Sequence, residues 1–186
     1  MNDTIEYTGL EKSLRGFLKS KPWLLPFLVY VSRNPMGTIS DVSRILGVKS
    51  SIVRRALWWL SKIGIVSVSR EGDKRYYRVA EDAINLLDEI TRNTRYYNRN
   101  YVLKINGEYI VVRVRRNRVI PYTIPASIVD TVERVLRNAP NQEFTLNDLV
   151  FSTNISPRLL VLALRVLKIL DRVEKSKAGY LLKTRR

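Results

Sequence analysis

The chain has 186 residues, 45% of them apolar, and a formal net charge of +16 with an isoelectric point of about 10.4. This length allows one large domain or two small ones, and the positive charge favours a polyanionic partner. The absence of cysteine and histidine excludes disulfides, thiolate clusters, histidine-based zinc sites and Ser-His or Cys-His nucleophile systems. We expect a cytoplasmic, nucleoid-associated protein, because the chain shows neither a signal sequence nor an apolar run of about 18–20 residues.

Apolar spacing predicts two helices in the first part of the chain. Residues 4–20 carry apolar side chains at helical spacing, which indicates a short amphipathic helix. Residues 23–31 form a second apolar segment, with Pro26 in an opening turn where proline is tolerated. We interpret this second segment as core and as the first helix of the domain that follows.

The stretch from Thr38 to Arg78 predicts a helix, a tight turn, a second helix and a basic hairpin. The Thr38 hydroxyl can accept a backbone N–H at the start of the first helix, and Gly47 can take the left-handed conformation that ends it. Ser50 or Ser51 can cap the second helix. We expect that helix to continue to about residue 63, with the hairpin directly after it.

The second helix has two different faces. One stripe is apolar and should face the core, and it consists of Val53, Ala56, Leu57, Leu60 and Ile63. The opposite stripe is polar and basic, and it consists of Ser51, Arg55, Trp58 and Lys62, with Arg54 beside it. The hairpin adds the basic residues Arg70, Lys74, Arg75 and Arg78. We expect one of Trp58 and Trp59 to wedge against another helix rather than stack on a base.

This order of elements resembles the winged helix-turn-helix, a superfamily of DNA-binding proteins. In that superfamily the second helix enters the major groove, and its N-terminal half meets the base edges. The resemblance implies that these positions are held here by Lys49, Ser50, Ser51, Arg54 and Arg55. An arginine there can make a bidentate contact to guanine, and a basic hairpin can contact phosphate or the minor groove. The alternative interpretation is a solvated basic helix face.

Residues 81–95 predict another amphipathic helix, with acidic residues at its start and arginines at its end, an order that suits the helix dipole. Two interpretations stay open for this helix and for the one at the N-terminus. In the resembled superfamily such flanking helices often form a dimer surface. They can equally pack on their own domain.

Residues 96–125 predict a small sheet. A strand ends at Ile105, Asn106-Gly107 is a strong hairpin turn, and a second strand runs over residues 108–115. A third strand should run from Arg118 to Tyr122 and be stopped by Pro121 and Pro125. Six basic residues against one acid give this segment a net charge of 6 − 1 = +5. We expect one apolar and one basic face, and the basic face offers two candidate DNA contacts, Arg113 and Arg115. A charged, soluble linker is the alternative.

The last third of the chain repeats the stretch from Thr38 onward at a shift of 107 positions. Thr38 corresponds to Thr145, and Gly47 corresponds to Asn154, which tolerates left-handed geometry. The second long helix is apolar nearly all round, which predicts burial on more than one side. We expect an interface with another domain or a second subunit, formed by Leu159, Val161, Leu162 and Ile169. Five basic residues of this part could still contact phosphate at the edge: Arg158, Arg165, Lys168, Lys175 and Lys177.

The sequence therefore predicts an α+β fold, mainly α, with two winged helix-turn-helix domains joined by a small antiparallel sheet. The expected boundaries are 1–95 for the first domain, 96–125 for the connector and 126–186 for the second domain. We expect no enzymatic activity, cofactor or metal, because phosphate-binding glycine loops and clustered carboxylates are missing from the sequence.

The expected function is binding of double-stranded DNA, as a transcriptional regulator that reads DNA mainly through the first domain. The expected assembly is a homodimer, and the second domain could also bind another protein. The alternatives are a replication-origin, partition or polymerase-associated factor, and a protein–protein adaptor. RNA is a lesser possibility, through stacking of bases on Tyr96, Tyr97 and Tyr101.

Overall fold

The computed structural model describes residues 9–140 and 142–183. Helices account for about 51% of the residues and strands for about 28%, in small antiparallel sheets, which confirms the α+β class. The helices are α1 (Gly9–Ser20), α2 (Leu25–Arg33), α3 (Ile39–Leu46), α4 (Ser50–Lys62), α5 (Ile84–Asn93), α6 (Ala126–Asn138), α7 (Leu146–Thr153) and α8 (Pro157–Ile169). The strands are β1 (Met36–Gly37), β2 (Val66–Glu71), β3 (Lys74–Val79), β4 (Thr94–Tyr97), β5 (Asn100–Ile105), β6 (Glu108–Arg115), β7 (Arg118–Pro125), β8 (Val173–Lys175) and β9 (Tyr180–Leu182).

The chain divides into two compact units. The first unit extends to Thr94 and also includes Val112–Pro121, whereas the second unit includes Arg95–Val111 and the chain from Tyr122 onward. The boundaries thus differ from the three segments expected from the sequence, because the strands of residues 96–125 divide between the two units. Burial explains this division, since Val111 belongs to the apolar core of the second unit.

The first unit is built around α2, which is buried over most of its length and packs against α5. Leu14 and Leu18 of α1 are also buried, so both helices that flank the central elements pack within their own unit. The segment expected to be one helix over residues 81–95 begins with a single 3-10 turn, Glu81–Ala83, and its α-helix ends at Asn93.

The connection between α3 and α4 follows the capping chemistry predicted for it. The Thr38 hydroxyl accepts the Asp41 N–H, the Asp41 carboxylate accepts the Thr38 N–H, and Gly47 ends α3 in the left-handed conformation at φ 63°. The expected serine cap of α4 is wrong, because Lys49 occupies the N-cap position and no side chain caps the helix. Ser50 is the first helical residue, and its hydroxyl instead lies 3.4 Å from that of Ser43.

Helix α4 buries the stripe that its sequence predicts. Val53, Ala56, Leu57 and Leu60 are fully buried, and each contributes roughly 1–3 kcal/mol of burial free energy according to its size. The hairpin of β2 and β3 follows at once, and β1 pairs with the outer side of β3 to give the order β1-β3-β2. The buried stripe therefore fixes which side of α4 faces outward.

A second sheet has the order β4-β5-β6-β7. Strand β4 was not expected from the sequence, because Asn98 and Arg99 both take positive φ in the turn after it and neither is the glycine that usually marks such a turn. The predicted Asn106-Gly107 turn is confirmed, with φ values of 48° and 76°. Pro121 does not stop β7, because β7 is an edge strand, where proline removes no inner hydrogen bond.

The expectation of one apolar and one basic face for this sheet is wrong. In β6 four consecutive residues, from Tyr109 to Val112, are buried, so side chains on both faces of the strand are covered. The charge is concentrated at the end of the hairpin instead, where residues 115–118 are exposed.

The second unit repeats the local geometry of the first at the predicted shift. Adding 107 to the bounds of α3 and α4 gives those of α7 and α8. Thr145 and Asp148 form the same reciprocal cap, and Asn154 takes the left-handed position at φ 53°. Helices α7 and α8 are bent by 108° at the intervening turn.

The apolar face of α8 is covered within its own unit. Of the residues expected at an interface, Leu162 and Ile169 are 9% and 8% exposed and belong to the core of the second unit. Strand β5 packs against α8, and its Val102 lies in the same core. Leu159 is half-buried against that core, and Val161, at 40% exposure, is the most exposed of the four residues expected at the interface.

A buried carboxylate joins two parts of the second unit. Glu133 of α6 accepts 2.6 Å hydrogen bonds from Arg137 of the same helix and from Arg172, which precedes β8. Burial raises the pKa of Glu133, but the hydrogen bonds and charges of Arg172 and Arg137 outweigh it and hold the pKa below its usual value. The carboxylate is thus ionised at neutral pH and ties α6 to the second hairpin.

We expect Glu133→Gln to destabilise the second unit by about 1–3 kcal/mol at neutral pH, because each arginine loses a charged acceptor. The lowered pKa means that this stability is present above the unfolded-state value and is lost as the pH falls through the folded-state pKa. Denaturant unfolding should show a difference in free energy of unfolding between the wild type and the variant, and this difference should shrink below about pH 4. A difference that stayed constant down to acidic pH would contradict the ion-pair explanation.

We expect Gly179→Ala to destabilise the second unit by about 1–3 kcal/mol, since an added Cβ would overlap the backbone carbonyl of Phe144. Phe144 and Tyr180 exchange two backbone hydrogen bonds beside it, so the backbone can yield little. Gly16→Ala is the matched control, because a Cβ at Gly16 meets nothing within 4 Å and alanine favours a helix. The Tm should fall for Gly179→Ala and rise for Gly16→Ala. A shift of both Tm values in the same direction would contradict this explanation.

Candidate nucleic-acid interface

The polar face of α4 forms an exposed ridge, which we define as Ser51, Arg54, Arg55, Trp58 and Lys62. The two arginines and Lys62 are exposed, and Trp58 is 54% exposed. Across the residues that the structure describes, no ion pair engages Arg54, Arg55 or Lys62. The ridge therefore presents positive charge that no carboxylate of the described chain neutralises.

Two cations of this ridge lie over aromatic rings. The Arg55 guanidinium lies 4.9 Å from the Trp23 ring centroid, and the Lys62 ammonium lies 5.2 Å from that of Trp58. Such contacts attract a cation to the ring face without neutralising its charge. Arg55 and Lys62 are thus oriented and still available to an anion.

The two adjacent tryptophans have different roles. Trp59 packs against Phe17 of α1, with ring centroids 6.0 Å apart, and the Lys21 ammonium lies 4.1 Å from its ring. Trp58 points outward, with its ring 4.8 Å from that of Trp59 in an edge-to-face arrangement. The expectation that one tryptophan wedges against another helix is confirmed for Trp59.

The N-terminal end of α4 has a neighbour that the sequence did not predict. The Lys49 N–H donates a 3.0 Å hydrogen bond to the carbonyl of Arg116, in the turn between β6 and β7. A recess of about 340 Å³ lies beside this bond, lined by Ser51, Ile52, Arg55, Asn117, Arg118 and Val119. The exposed side chains of Arg116 and Arg118 are therefore additional members of this surface. Only the density of arginine over residues 113–118 could have indicated them from sequence.

The β2–β3 hairpin presents its charges unevenly. Arg70 is paired directly with Arg75 across the two strands, so these two exposed cations share one face of the ribbon. Arg78 lies on the other face, where it forms a 3.3 Å ion pair with Glu71, and Lys74 is opposite Glu71 in the register. Like charges directly opposite each other are destabilising. A bound anion would therefore stabilise the Arg70–Arg75 face more than the face on which Arg78 pairs with Glu71.

The remaining predicted contacts are scattered. Arg115 is exposed, whereas Arg113 is half-buried on the same strand. In the second unit Arg158 is exposed, and Arg165 is half-buried with its guanidinium 5.8 Å from the Tyr122 ring. Lys175 and Lys177 are exposed on the second hairpin.

The surface of α8 that corresponds to the ridge differs in chemistry. A shallow recess of about 350 Å³ there is lined by Tyr122, Pro157, Arg158, Val161, Leu162 and Arg165. Its walls are mainly apolar side chains flanked by the two arginines. This surface therefore offers fewer free cations than the ridge of α4.

In the described ranges 9–140 and 142–183, no group of three or more acidic side chains is placed to hold a metal ion. Over those ranges no single helix is both long and apolar enough to cross a bilayer, although the bent pair of α7 and α8 reaches that length and composition when taken together.

Comparison with known proteins gives no relative. No protein-family model matches the chain, and neither the curated proteins nor the solved structures searched contain a match.

We expect Trp59→Ala to lower the free energy of unfolding by about 2–3 kcal/mol, because it removes a packed ring between α1 and α4. Trp58→Ala should cost well under about 1 kcal/mol, because its ring is 54% exposed. Denaturant unfolding of the two variants checks this difference. Equal losses would contradict the division of roles between the two rings.

Proposed function

We propose that the protein binds double-stranded DNA through its first unit and acts as a transcriptional regulator. The observation that carries this proposal is the α4 ridge, opposite a fully buried apolar stripe, with exposed cations for which the described residues provide no ion pair. No acidic residue occurs between Asp41 and Glu71, so α3, α4 and the start of the hairpin have no internal anion after the first turn of α3.

We further propose that each unit contains a winged helix-turn-helix domain. Support comes from the three-residue turns between the paired helices, the left-handed residue that opens each turn, and the antiparallel hairpin that follows. The 108° bend between α7 and α8 lies within the range of about 90–120° typical of helix-turn-helix pairs. The same caps and the same spacing support this assignment for α3 and α4.

The dimensions of the ridge suit a duplex. A helix of 13 residues spans roughly 20 Å at about 1.5 Å per residue, and the major groove, about 12 Å wide, admits one helix. In this proposal Arg54 and Arg55 approach base edges, where an arginine–guanine pair contributes about 1–3 kcal/mol of discrimination. Arg70 and Arg75 contact phosphates and position the helix without reading sequence.

The second unit contributes less to DNA reading in this proposal. Its long helix has Val161 and Leu162 where α4 has Arg54 and Arg55, and Leu162 is buried. Arg158 is exposed and can reach a phosphate, whereas Arg165 already lies against Tyr122. The two units thus share a local geometry and differ in the charge that they present.

A second candidate function is a replication or partition factor that binds DNA together with a protein partner, or as a homodimer. Phe151 of α7 favours it, because an aromatic ring at 94% exposure offers apolar area that a partner could bury. Selection from a random duplex pool separates the candidates. A regulator enriches a short site, whereas a machinery component retains broad binding.

We expect the double variant Arg54→Ala/Arg55→Ala to lose about 10-fold or more in duplex affinity and to change the enriched sequence. The matched control is Arg158→Ala/Arg165→Ala, which removes the same charge from the corresponding region of α8. Wild-type binding should follow a log–log salt slope of roughly −5 if about six phosphates are engaged.

Fluorescence anisotropy over a salt series measures both quantities. Equal losses for the two double variants would contradict the assignment of DNA reading to α4. A wild-type slope shallower than about −2 would favour an adaptor that does not depend on DNA.

A further inference from the structure

Beside α4 lies a second cationic element that belongs to a different part of the chain. We call it the arginine tip and define it as residues 115–118, Arg-Arg-Asn-Arg, at the turn between β6 and β7. All four residues are exposed. No acidic residue occurs between Glu108 and Asp130, so the tip and the strands next to it carry only positive charge apart from Glu108, the first residue of β6.

The arginine tip is held against α4 by the backbone rather than by its side chains. The carbonyl of Arg116 accepts the Lys49 N–H at 3.0 Å. Lys49 is the N-cap residue of α4, so the bond fixes the tip at the end of the helix that points toward DNA in the proposed function. The guanidinium of Arg116 takes no part in this bond and is free to face outward.

The position of the tip brings like charges together. Arg118 and Asn117 of the tip line the same recess as Arg55 and Ser51 of α4. In the part of the chain that the structure describes, no ion pair engages Arg115, Arg116 or Arg118. Cations clustered at one edge without ion pairs create a positive potential that attracts a polyanion.

The shape of this surface favours an extended polyanion over a small anion. The arginines of the tip are exposed rather than enclosed, and the recess has no buried polar side chain aimed into it. A small anion would need enclosure by several donors, whereas the phosphates of a duplex pass over a surface and meet one cation after another.

We propose that the arginine tip binds the phosphate backbone next to the groove that α4 enters. We call this phosphate contact the clamp, and it acts in addition to the phosphate contacts of the β2–β3 hairpin. This inference rests on the proposed function, because α4 must first lie on a duplex. The tip contributes affinity without sequence reading, since its contacts are to phosphate. Because the Lys49–Arg116 bond ties the tip to α4, phosphate contacts of the tip also orient α4 on the duplex.

The test compares three variants of the full chain on a mixed-sequence duplex over a range of salt concentrations. The tip variant changes Arg115, Arg116 and Arg118 to glutamine, which leaves the anchoring carbonyl in place. The charge control changes three exposed arginines outside this surface, Arg33, Arg92 and Arg134, to glutamine. The ridge variant is Arg54→Ala/Arg55→Ala.

The tip variant should bind about 10-fold more weakly than the charge control, with a salt slope shallower by about 2–3, close to 0.9 for each lost phosphate contact. The sequence enriched from a random duplex pool should stay that of the wild type. The single variant Arg116→Gln should make the salt slope shallower by about 1. This variant tests the same proposal if the triple variant unfolds.

Each contrary outcome has a distinct meaning. Binding by the tip variant equal to that of the charge control overturns the clamp while the proposed function stands, provided that the ridge variant is weakened. Tighter binding by the tip variant overturns it as well, because the tip would then cover the helix end. A wild-type protein that binds no duplex overturns the clamp together with the proposed function.

Discussion

The burial of one stripe of α4 is the constraint on which the candidate site depends. Val53, Ala56 and Leu57 are fully enclosed, so the helix cannot rotate without exposing apolar surface. A helix fixed on one side must show the other, and here the other side carries Arg54 and Arg55. The reciprocal cap at Thr38 and the left-handed Gly47 set where α3 starts and ends, and so determine how the chain approaches α4.

The two units show how one local geometry can serve different surfaces. Capping at Thr145 and the turn at Asn154 reproduce the first unit element by element. The difference arises from what covers the long helix. Strand β5 packs on α8, and so Leu162 and Ile169 are consumed as core, whereas the corresponding face of α4 remains open. Apolar substitution on α8 thus matches its burial within the same unit.

Much of this arrangement could be predicted because it depends on short-range chemistry. Caps, left-handed turn residues and the spacing of apolar side chains act within a few residues, so the helices and the repeat at 107 positions are readable from sequence. Two of the errors have local causes. The expected serine cap is wrong because α4 begins at Ser50, with Lys49 at the N-cap position, and β4 was missed because its turn uses Asn98 and Arg99 without glycine.

The sequence by itself determined the helices, the basic hairpin, the duplicated pattern and the two-faced character of α4, since periodicity and capping need no knowledge of distant neighbours. Only the tertiary structure decided which apolar residues of α8 are covered and which arginines stand together. The arginine tip lies more than fifty residues from α4 in the chain, and a backbone hydrogen bond joins them. No periodic pattern encodes that pairing, because it depends on how a sheet edge meets a helix end in space.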